Sequence, residues 1–563
     1  MKYKVLGNNN YFDILKTIFN NRGIENIDSF LNINSSCLCD YSKLNNLYEA
    51  YQKYNYHIEQ NSNICIIVDC DVDGYCSAAM VYNHIKSINP KLNLTYCMHS
   101  GKQHGIADVI GLIPKDTNLL IVPDAGTNDV DSCKELSEKG IDVIILDHHN
   151  IKKTNDYAIV VNCKDGYYDN PDLCGAGVVF KLLELFDDEN WTNYSEKYRD
   201  LAGVATLADM VDLKNPENRY IVEGIYNINN RFLNHLINNI YQFPTQKYTD
   251  NDFIMKVIPI MNGCIRMGDI EDKVALFEAF AEIKPDRVFS RTYRNKTIEE
   301  NIFQRALRIS NNAKHRQDSS VNKVIPQILS TISSEDNVLA CDLGNAQIDG
   351  VERLTGLIAN KLANKYNKPC IVFKYNELEE KYKGSGRNYN NSTIDSFISF
   401  LNSTNCFSLL QGHDNAFGLA FDDLEKIEQN VKKLDVPKEK IDIVDFEIPY
   451  EDMDLAIIKE LNDCSNKLGR GFMPVKVAIK DLFCDDFKVM GSNSTNWKIT
   501  SEEGIEYLKF GVPDNDELLN IYNENWEIPK NIKINLIGKP QMSFYNSIIT
   551  PQIIIEKYEI VEN

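Results

Sequence analysis

No stretch of this sequence approaches the roughly 20 consecutive apolar residues that a bilayer-spanning helix requires, and the opening MKYKVLGNNN lacks the apolar run of a signal peptide. The expectation is a cytoplasmic protein with no membrane partner. Clustered cysteines are missing too. The 15 cysteines are scattered singly, several within apolar segments (Cys65, Cys264, Cys341, Cys370), and the one close pair, Cys37 and Cys39, has a single residue between them. That pattern fits reduced core residues rather than disulfides or a zinc site. Positive charge is also short: 60 Lys and Arg face 81 Asp and Glu, a net charge of −21. Such a chain does not coat nucleic acid by bulk electrostatics, so any nucleic-acid path must be local. What is present is a chain of 563 residues, 43% hydrophobic and 25% charged, long enough for three or four globular domains.

After a peripheral helical segment that includes a helix from Lys43 to about Gln60, apolar strands alternate with helices: CIIVDCD, LNLTYCM, NLLIVPDAG, DVIILDHH and AIVVN. Each strand ends in polar or glycine residues, the punctuation of a doubly wound parallel sheet whose site lies at the strand C-termini. From Pro285 to Gln317 runs a polar, helix-prone stretch without glycine, which reads as a connecting helix. A second α/β pattern follows (VLACDLG, LTGLIANKLANKYNKP, CIVFKY), with the loop KGSGRN and the segment QGHDNAFGLAF. Beyond Lys438, short strands with turn residues between them read as a small β-barrel of the OB type.

Four strand or helix ends carry the chemistry. VDCDVDG supplies Asp69, Asp71 and Asp73, with Gly74 allowing a close turn; Asp124 ends an apolar strand; Asp147, His148 and His149 end another; Asp209 closes the apolar face of LAGVATLADMVDL. So many carboxylates cannot be buried and ionised together without a cation among them. Carboxylates with one or two imidazoles suit Mn²⁺ or Mg²⁺ better than a thiolate zinc cage, and bridging carboxylates allow two ions. Farther on, Ser385, Gly386 and Arg387 offer backbone amides and a forked guanidinium to a phosphate, with Arg266 and His413 as further candidates.

VDCDVDG, PDAG, LDHH and LADMVD, in that order, resemble the DHH phosphoesterases. LCGAGVVFKLL, ATLADMVDLKNPENR and NGCIRMGD are similar to RecJ-type sequences, and GSGRN and QGHDNAFG to the DHHA1 domain. The resemblance implies a parallel-sheet DHH catalytic domain with N-terminal helices over residues 1–275, a connecting helix over 276–325, a smaller α/β DHHA1 domain over 326–437 and an OB-fold domain over 438–563. It also implies a 5′-to-3′ exonuclease that hydrolyses single-stranded DNA to 5′-mononucleotides with water activated by two metals, in recombination and repair. Asp71, Asp73, Asp124, His148 and Asp209 then hold two Mn²⁺ or Mg²⁺ ions, with Asp124 as the bridge. His149 faces the scissile phosphate, Asp147 orients an imidazole, and Asp69 is either a ligand or a support for the loop. Departures are Ile67, where many relatives carry a histidine, Gln411 and Phe417 in the GGH-type motif, and a loop HSGKQHGIAD in which Lys102 or His104 stands for the usual arginine.

Nine Lys or Arg against four acids between Asp286 and Lys323, with Phe289 and Tyr293 interleaved, form a local strand-tracking path through Arg291 and Arg294 or else a solvated linker. In the barrel, Trp497, Tyr507, Phe510 and Tyr545 are available to stack bases, and the same domain offers a dock for a DNA-binding or replication protein. The chain is expected to be a monomer. Competing readings are a DHH phosphodiesterase for short oligonucleotides or cyclic dinucleotides, a family II pyrophosphatase, and a non-catalytic DNA- or replisome-binding scaffold.

Overall fold

The computed structural model describes the chain except residues 102, 241–247, 330–331, 334, 345, 347, 349, 390–391, 438–440, 492–495, 513–515, 530, 546–547 and 562–563, and the side chains of 544 and 545. It divides into two compact units, Cys37–Lys438 and a second made of Met1–Ser36 with Glu439–Asn563. Among the described residues no helix is long and apolar enough to cross a membrane.

In the larger unit, α1 (Leu47–Glu59) leads into β1 (Ile64–Val68), followed by α2 (Val72–Ile88), β2 (Leu94–Met98), β3 (Leu119–Pro123), α3 (Val130–Glu138), β4 (Asp142–Asp147) and β5 (Ile159–Asn162). The sheet order is β2-β1-β3-β4-β5 with every pair parallel. Both β1 and β3 are buried at every position, as befits apolar runs covered by helices on both faces. Helices α4 (Gly175–Asn190) and α5 (Arg199–Ala208) pack against α2. Because the chain places β2 on one side of β1 and β3 on the other, a crevice opens beyond the C-termini of β1 and β3. Asp69, Asp71 and Asp124 all sit at that crevice.

After α6 (Ile258–Met267) and α7 (Ile270–Phe280), the structure departs from the single helix expected over 276–325. Val288–Tyr293 and Lys296–Asn301 form an antiparallel hairpin, β6 and β7. Alternating Val, Phe, Thr, Tyr and Ile favour strand here. The turn is closed by Arg294 and Asn295, both at positive φ (47° and 62°), the backbone of a tight two-residue hairpin. Only then does α8 (Ile302–Ile328) begin, opened by a capping box of Asn301 and Gln304.

The second lobe contains β8 (Leu339–Asp342), α9 (Thr355–Tyr366), β9 (Cys370–Asn376), β10 (Lys381–Arg387), α10 (Phe397–Asn402), β11 (Leu409–His413) and β12 (Ala416–Phe421). Its sheet runs β11-β12-β10-β9-β8, parallel only between β8 and β9. KGSGRN is therefore not a loop: Lys383 to Arg387 lie in a central strand paired on both sides. The glycines are needed by packing, since a Cβ on Gly384 would lie 2.0 Å from the Val372 carbonyl oxygen and one on Gly386 2.4 Å from the Phe417 ring. Phe417 thus fills a notch that Gly386 leaves open.

In the smaller unit a seven-stranded mixed sheet runs, in order, through Phe446–Pro449, Val477–Phe483, Lys533–Tyr545, Ile548–Val561, Glu506–Lys509, Asn496–Thr500 and Phe487–Met490. The first 36 residues, read from the sequence with the catalytic domain, belong instead to this unit. Ile14, Ile18, Phe19 and Phe30 enter its core, Tyr3–Val5 pairs with Asp442–Val444, and Arg22 makes a buried ion pair with Asp445 at 2.8 Å. Trp497 and Tyr507 are fully buried and unavailable for base stacking, whereas Phe510 is exposed. The Tyr545 side chain lies outside the described residues.

Candidate metal centre

β1 ends in Asp69, Cys70 and Asp71. Asp71 caps α2, its Oδ1 accepting from the Gly74 amide at 3.0 Å. A Cβ on Gly74 would fall 2.6 Å from the Asp69 Cβ, so only glycine lets the helix start this close. Within the first turn of α2, the buried Asp73 accepts from the amides of Gly175 (2.7 Å) and Ala176 (2.8 Å), which open α4. A carboxylate is favoured there by the positive helix end. Gly175 is as constrained as Gly74, because a Cβ on it would lie 2.5 Å from that of Asp124.

Asp124 follows β3 in a left-handed conformation (φ 66°), its amide donating to the Leu146 carbonyl at 2.8 Å. It is 1% exposed, and neither carboxylate oxygen has a hydrogen-bond partner among the described residues. His148 Nε2 stands 3.3 Å from Asp124 Oδ1 and 4.0 Å from Asp73 Oδ2, and His148 Nδ1 is 3.8 Å from Asp209 Oδ2. Four overlapping groups result among the described residues, each with its donor atoms within 4.8 Å of one another: Asp69 with Asp71 and Asp124, Asp73 with His148 and Asp209, Asp124 with Asp147, His148 and His149, and Asp69 with Cys70 and His104. Burial, then the neighbouring Asp73 and Asp71, push the Asp124 carboxyl well above the usual range. Asp209 is raised by the same causes. An unsatisfied buried carboxylate amid others, beside a neutral imidazole, is a site that fits a hard divalent cation.

Asp147 does something different. Its Oδ1 lies 2.8 Å from His149 Nδ1 and accepts from the amides of His148 (2.7 Å) and His149 (3.1 Å), while Oδ2 accepts from Thr127 N at 3.0 Å. Burial works against its charge, yet the His149 hydrogen bond prevails and holds the carboxyl below the usual range. The same bond raises the His149 pKa. His148, by contrast, is lowered to about 4 by burial and then by His149, which leaves it neutral and able to bind a metal. Asn162, which the sequence reading passed over, donates to the His149 carbonyl (2.9 Å) and to Thr127 Oγ1 (3.0 Å) and ties this loop down.

Asp69 is fully buried under three groups. His104 Nδ1 lies 2.5 Å from its Oδ2, the Gly105 amide donates to Oδ1 at 3.3 Å, and His99 Nε2 is 3.6 Å from Oδ1. The Asp69 contact pushes the His104 imidazole up to about 11. Lys102, the other residue considered at this loop, lies outside the described residues.

Comparison with known proteins follows the same lines. The DHH family N-terminal domain matches residues 63–208. A Bacillus subtilis protein named putative SPbeta prophage-derived single-strand DNA-specific exonuclease YorK is 32% identical, with the match covering 100% of this chain and 98% of that protein. The chain is a RecJ-type member of the DHH family. The single-stranded-DNA-specific exonuclease RecJ of Bacillus subtilis is 22% identical over 96% of this chain and 67% of its own length. The crystal structure of Thermus thermophilus RecJ in complex with Mn²⁺ superposes with a TM-score of 0.73 at 15% identity, covering 100% of this chain and 79% of that one, a likeness of fold.

Around the carboxylates of this DHH protein, cations come from two places. Arg266, on α6, is half-buried; burial lowers its pKa, while nearby Asp71 and Cys70 act to raise it. Arg387, at the end of β10, is lowered to about 10 by burial and then by Arg266. Its Nη1 donates to the carbonyls of Gly386 (2.7 Å) and Phe417 (3.3 Å). Ser385, the second residue before it, shares a 2.9 Å hydrogen bond with Thr355. The backbone of Ser385 and Gly386 is committed to the sheet, so the expectation of free amides for a phosphate is replaced by the side chains of Ser385 and Arg387. His413 ends the exposed edge strand β11, and Arg291 and Arg294 lie on the hairpin rather than on a helix.

Proposed function

We propose that this chain is a cytoplasmic, metal-dependent exonuclease that hydrolyses single-stranded DNA from the 5′ end to 5′-mononucleotides, in recombination and repair. The observation that carries the reading is Asp124: a buried carboxylate with two unpartnered oxygens, grouped with Asp69 and Asp71 and in reach of His148. The name of the YorK relative supports the substrate class. Direction and setting rest on the resemblance to RecJ-type enzymes. In this reading Asp69, Asp71 and Asp124 hold one Mn²⁺ or Mg²⁺ and Asp73, His148 and Asp209 the other, with Asp124 serving both.

Bound there, two such ions supply a water of lowered pKa and neutralise charge on the phosphate. The chain's own residues do the rest. Asp147 fixes the His149 ring through Nδ1, leaving Nε2 to donate to the scissile phosphate or to the departing 3′-oxygen. Arg266 and Arg387, close enough that the first depresses the pKa of the second, suit a phosphate between them. A monomer with a DNA-binding or replication protein docked on the smaller unit completes the proposal.

The test is incubation with Mn²⁺ and single strands labelled at the 5′ or 3′ end, duplex DNA, a dinucleotide and cyclic di-AMP. Release of the 5′ label as mononucleotide from single strands, abolished in Asp124→Ala, is expected. No cleavage of any polymer overturns the nuclease reading, and preference for the dinucleotide assigns the chain to short oligonucleotides.

A further inference from the structure

Away from the metal centre, the larger unit holds a cleft of about 500 Å³ whose lining carries four cations, Lys86, Lys197, Arg231 and Lys284, and one acid, Glu282. In a chain where acids outnumber bases by 81 to 60, that local excess runs against the trend. The volume falls within the range of small-molecule sites. Helix α2 sets the separation: its start carries Asp71 and Asp73, whereas Lys86 stands in its last turn, about 20 Å farther along at 1.5 Å per residue.

Among the described residues none of the four cations is in an ion pair. Lys86 donates to the carbonyls of Leu92 (2.8 Å) and Pro90 (3.3 Å), so it contributes charge rather than a free donor. The other three are exposed. Lys197 lies over the Tyr198 ring at 5.0 Å and Arg231 over the Phe303 ring at 5.1 Å. The acid is engaged elsewhere, because Glu282 Oε1 accepts from the Arg231 amide at 3.0 Å and from Asn230 Nδ2 at 3.5 Å. The turn after α7 holds Glu282 and Lys284 in a left-handed conformation, both at φ 48°. Residues other than glycine seldom adopt it, and such outliers collect where a chain must present a group in one direction.

The same lining offers contacts for a base. Tyr82 and Tyr198 belong to it, together with the side-chain amides of Asn83 and Asn229. Asn83 Nδ2 donates to the Phe280 carbonyl at 3.3 Å, which leaves its oxygen as an acceptor. The Asn229 side chain has no hydrogen bond among the described residues, only its backbone amide being engaged, by Asp200. Cations for a phosphate, with amides and aromatic residues for a base, are the chemistry of a nucleotide. We propose that this cleft binds a free nucleoside 5′-monophosphate, its phosphate met by Lys197, Arg231 and Lys284 and its base by Asn83 and Asn229. Such a nucleotide is the product of the proposed nuclease, and the choice of this ligand rests on that reading.

The test is binding of thymidine and deoxyadenosine 5′-monophosphates to the full chain by calorimetry in EDTA, which keeps ions out of the metal centre. Wild type is expected to bind, and Lys197→Gln combined with Lys284→Gln to bind about 10-fold or more weakly. Both lysines are exposed, so the core is untouched by their loss. Arg387→Gln, at the metal centre, should bind as wild type does. No binding to wild type overturns the proposal, as does binding lost in Arg387→Gln and kept in the double variant. Inorganic phosphate bound as tightly as the nucleotides would reduce the cleft to an anion site, and an equal loss of single-strand affinity in the double variant would make it part of the strand path; either result overturns the proposal. Cleavage of single strands in Mn²⁺ is scored separately. Absent cleavage with binding intact sinks the nuclease reading alone, and intact cleavage without nucleotide binding sinks only the cleft.

Discussion

Asp73 and Asp124 are both buried carboxylates within one site, and the chain treats them in opposite ways. Asp73 receives two amides from the start of α4, so its charge is met by the protein before any ligand arrives. Asp124 receives none among the described residues, although it is equally buried and is aimed by a left-handed backbone. The difference is one of preparation: Asp73 is held in place by two amides before any cation arrives, whereas Asp124 has no partner until one does. Substituting each by asparagine tests this. Asp124→Asn is expected to lower cleavage on the order of 10³-fold or more, and to stabilise the metal-free protein at neutral pH by about 1–3 kcal/mol by removing a buried carboxyl that must be either protonated on folding or left charged without a partner. Asp73→Asn should do the reverse to the metal-free fold, costing about 1–3 kcal/mol, because an amide NH₂ meets a backbone N–H. Thermal unfolding in EDTA reads both, and equal signs would break the comparison.

The next largest effect concerns the imidazoles. His149→Gln should reduce turnover about 10²- to 10⁴-fold while leaving Mn²⁺ affinity within about twofold, since Asp147 holds the His149 ring by its Nδ1. Asp147→Asn, which only loosens the ring, should cost about 10- to 100-fold. Calorimetry beside steady-state kinetics checks the pair, and loss of metal affinity in His149→Gln would make His149 a ligand.

A smaller effect follows from pH. Asp73, Asp124 and Asp209 all have raised pKa values, with Asp209 at about 8. A carboxyl raised on folding keeps its proton longer in the native state, so stability is fully present below the unfolded value near 4 and is lost as pH rises through the folded value. The melting temperature of the metal-free protein should therefore fall between about pH 5 and pH 8. In Asp124→Asn that slope should flatten, and saturating Mn²⁺ should reverse it.

Much of this was legible in the sequence because strand ends announce themselves. Apolar runs of β1, β3 and β4 stop abruptly at Asp69, Asp124 and Asp147, and the parallel order follows from their alternation with helices. What escaped detection depends on contacts between segments distant in sequence. His99 reads as one polar residue after LTYCM, and only the β1–β2 register brings it to Asp69. Nothing local to Asp73 reveals that α4, a hundred residues on, supplies two amides that hold its carboxylate in place. The first 36 residues carry no mark of their pairing with Asp442–Val444, and nothing in the sequence separates Trp497 and Tyr507, which the sheet buries, from the exposed Phe510 as candidates for stacking. The hairpin was hidden by its turn, since Arg294-Asn295 lacks the glycine that usually signals positive φ.

That hairpin supplies the smallest prediction and a second contrast of the same kind. Arg291 and Arg294 looked equivalent as strand-tracking cations. Arg291 Nε, however, is bound to Glu300 at 2.6 Å, a buried carboxylate that also takes Arg308 at 2.8 Å. Arg294, at the turn, lies over the Tyr293 ring at 5.2 Å, and among the described residues no ion pair holds it. Arg294 is thus the cation left for a phosphate. Arg294→Ala should weaken single-strand binding about 2- to 5-fold and reduce the salt dependence by about 0.7 in log–log slope, one phosphate contact. Arg291→Ala should change affinity by less, showing itself mainly as lost stability because Glu300 keeps one arginine instead of two. Fluorescence anisotropy at several salt concentrations measures the difference. Equal losses for the two variants would mean that DNA draws Arg291 away from Glu300, and the hairpin would then present two cations to the strand rather than one.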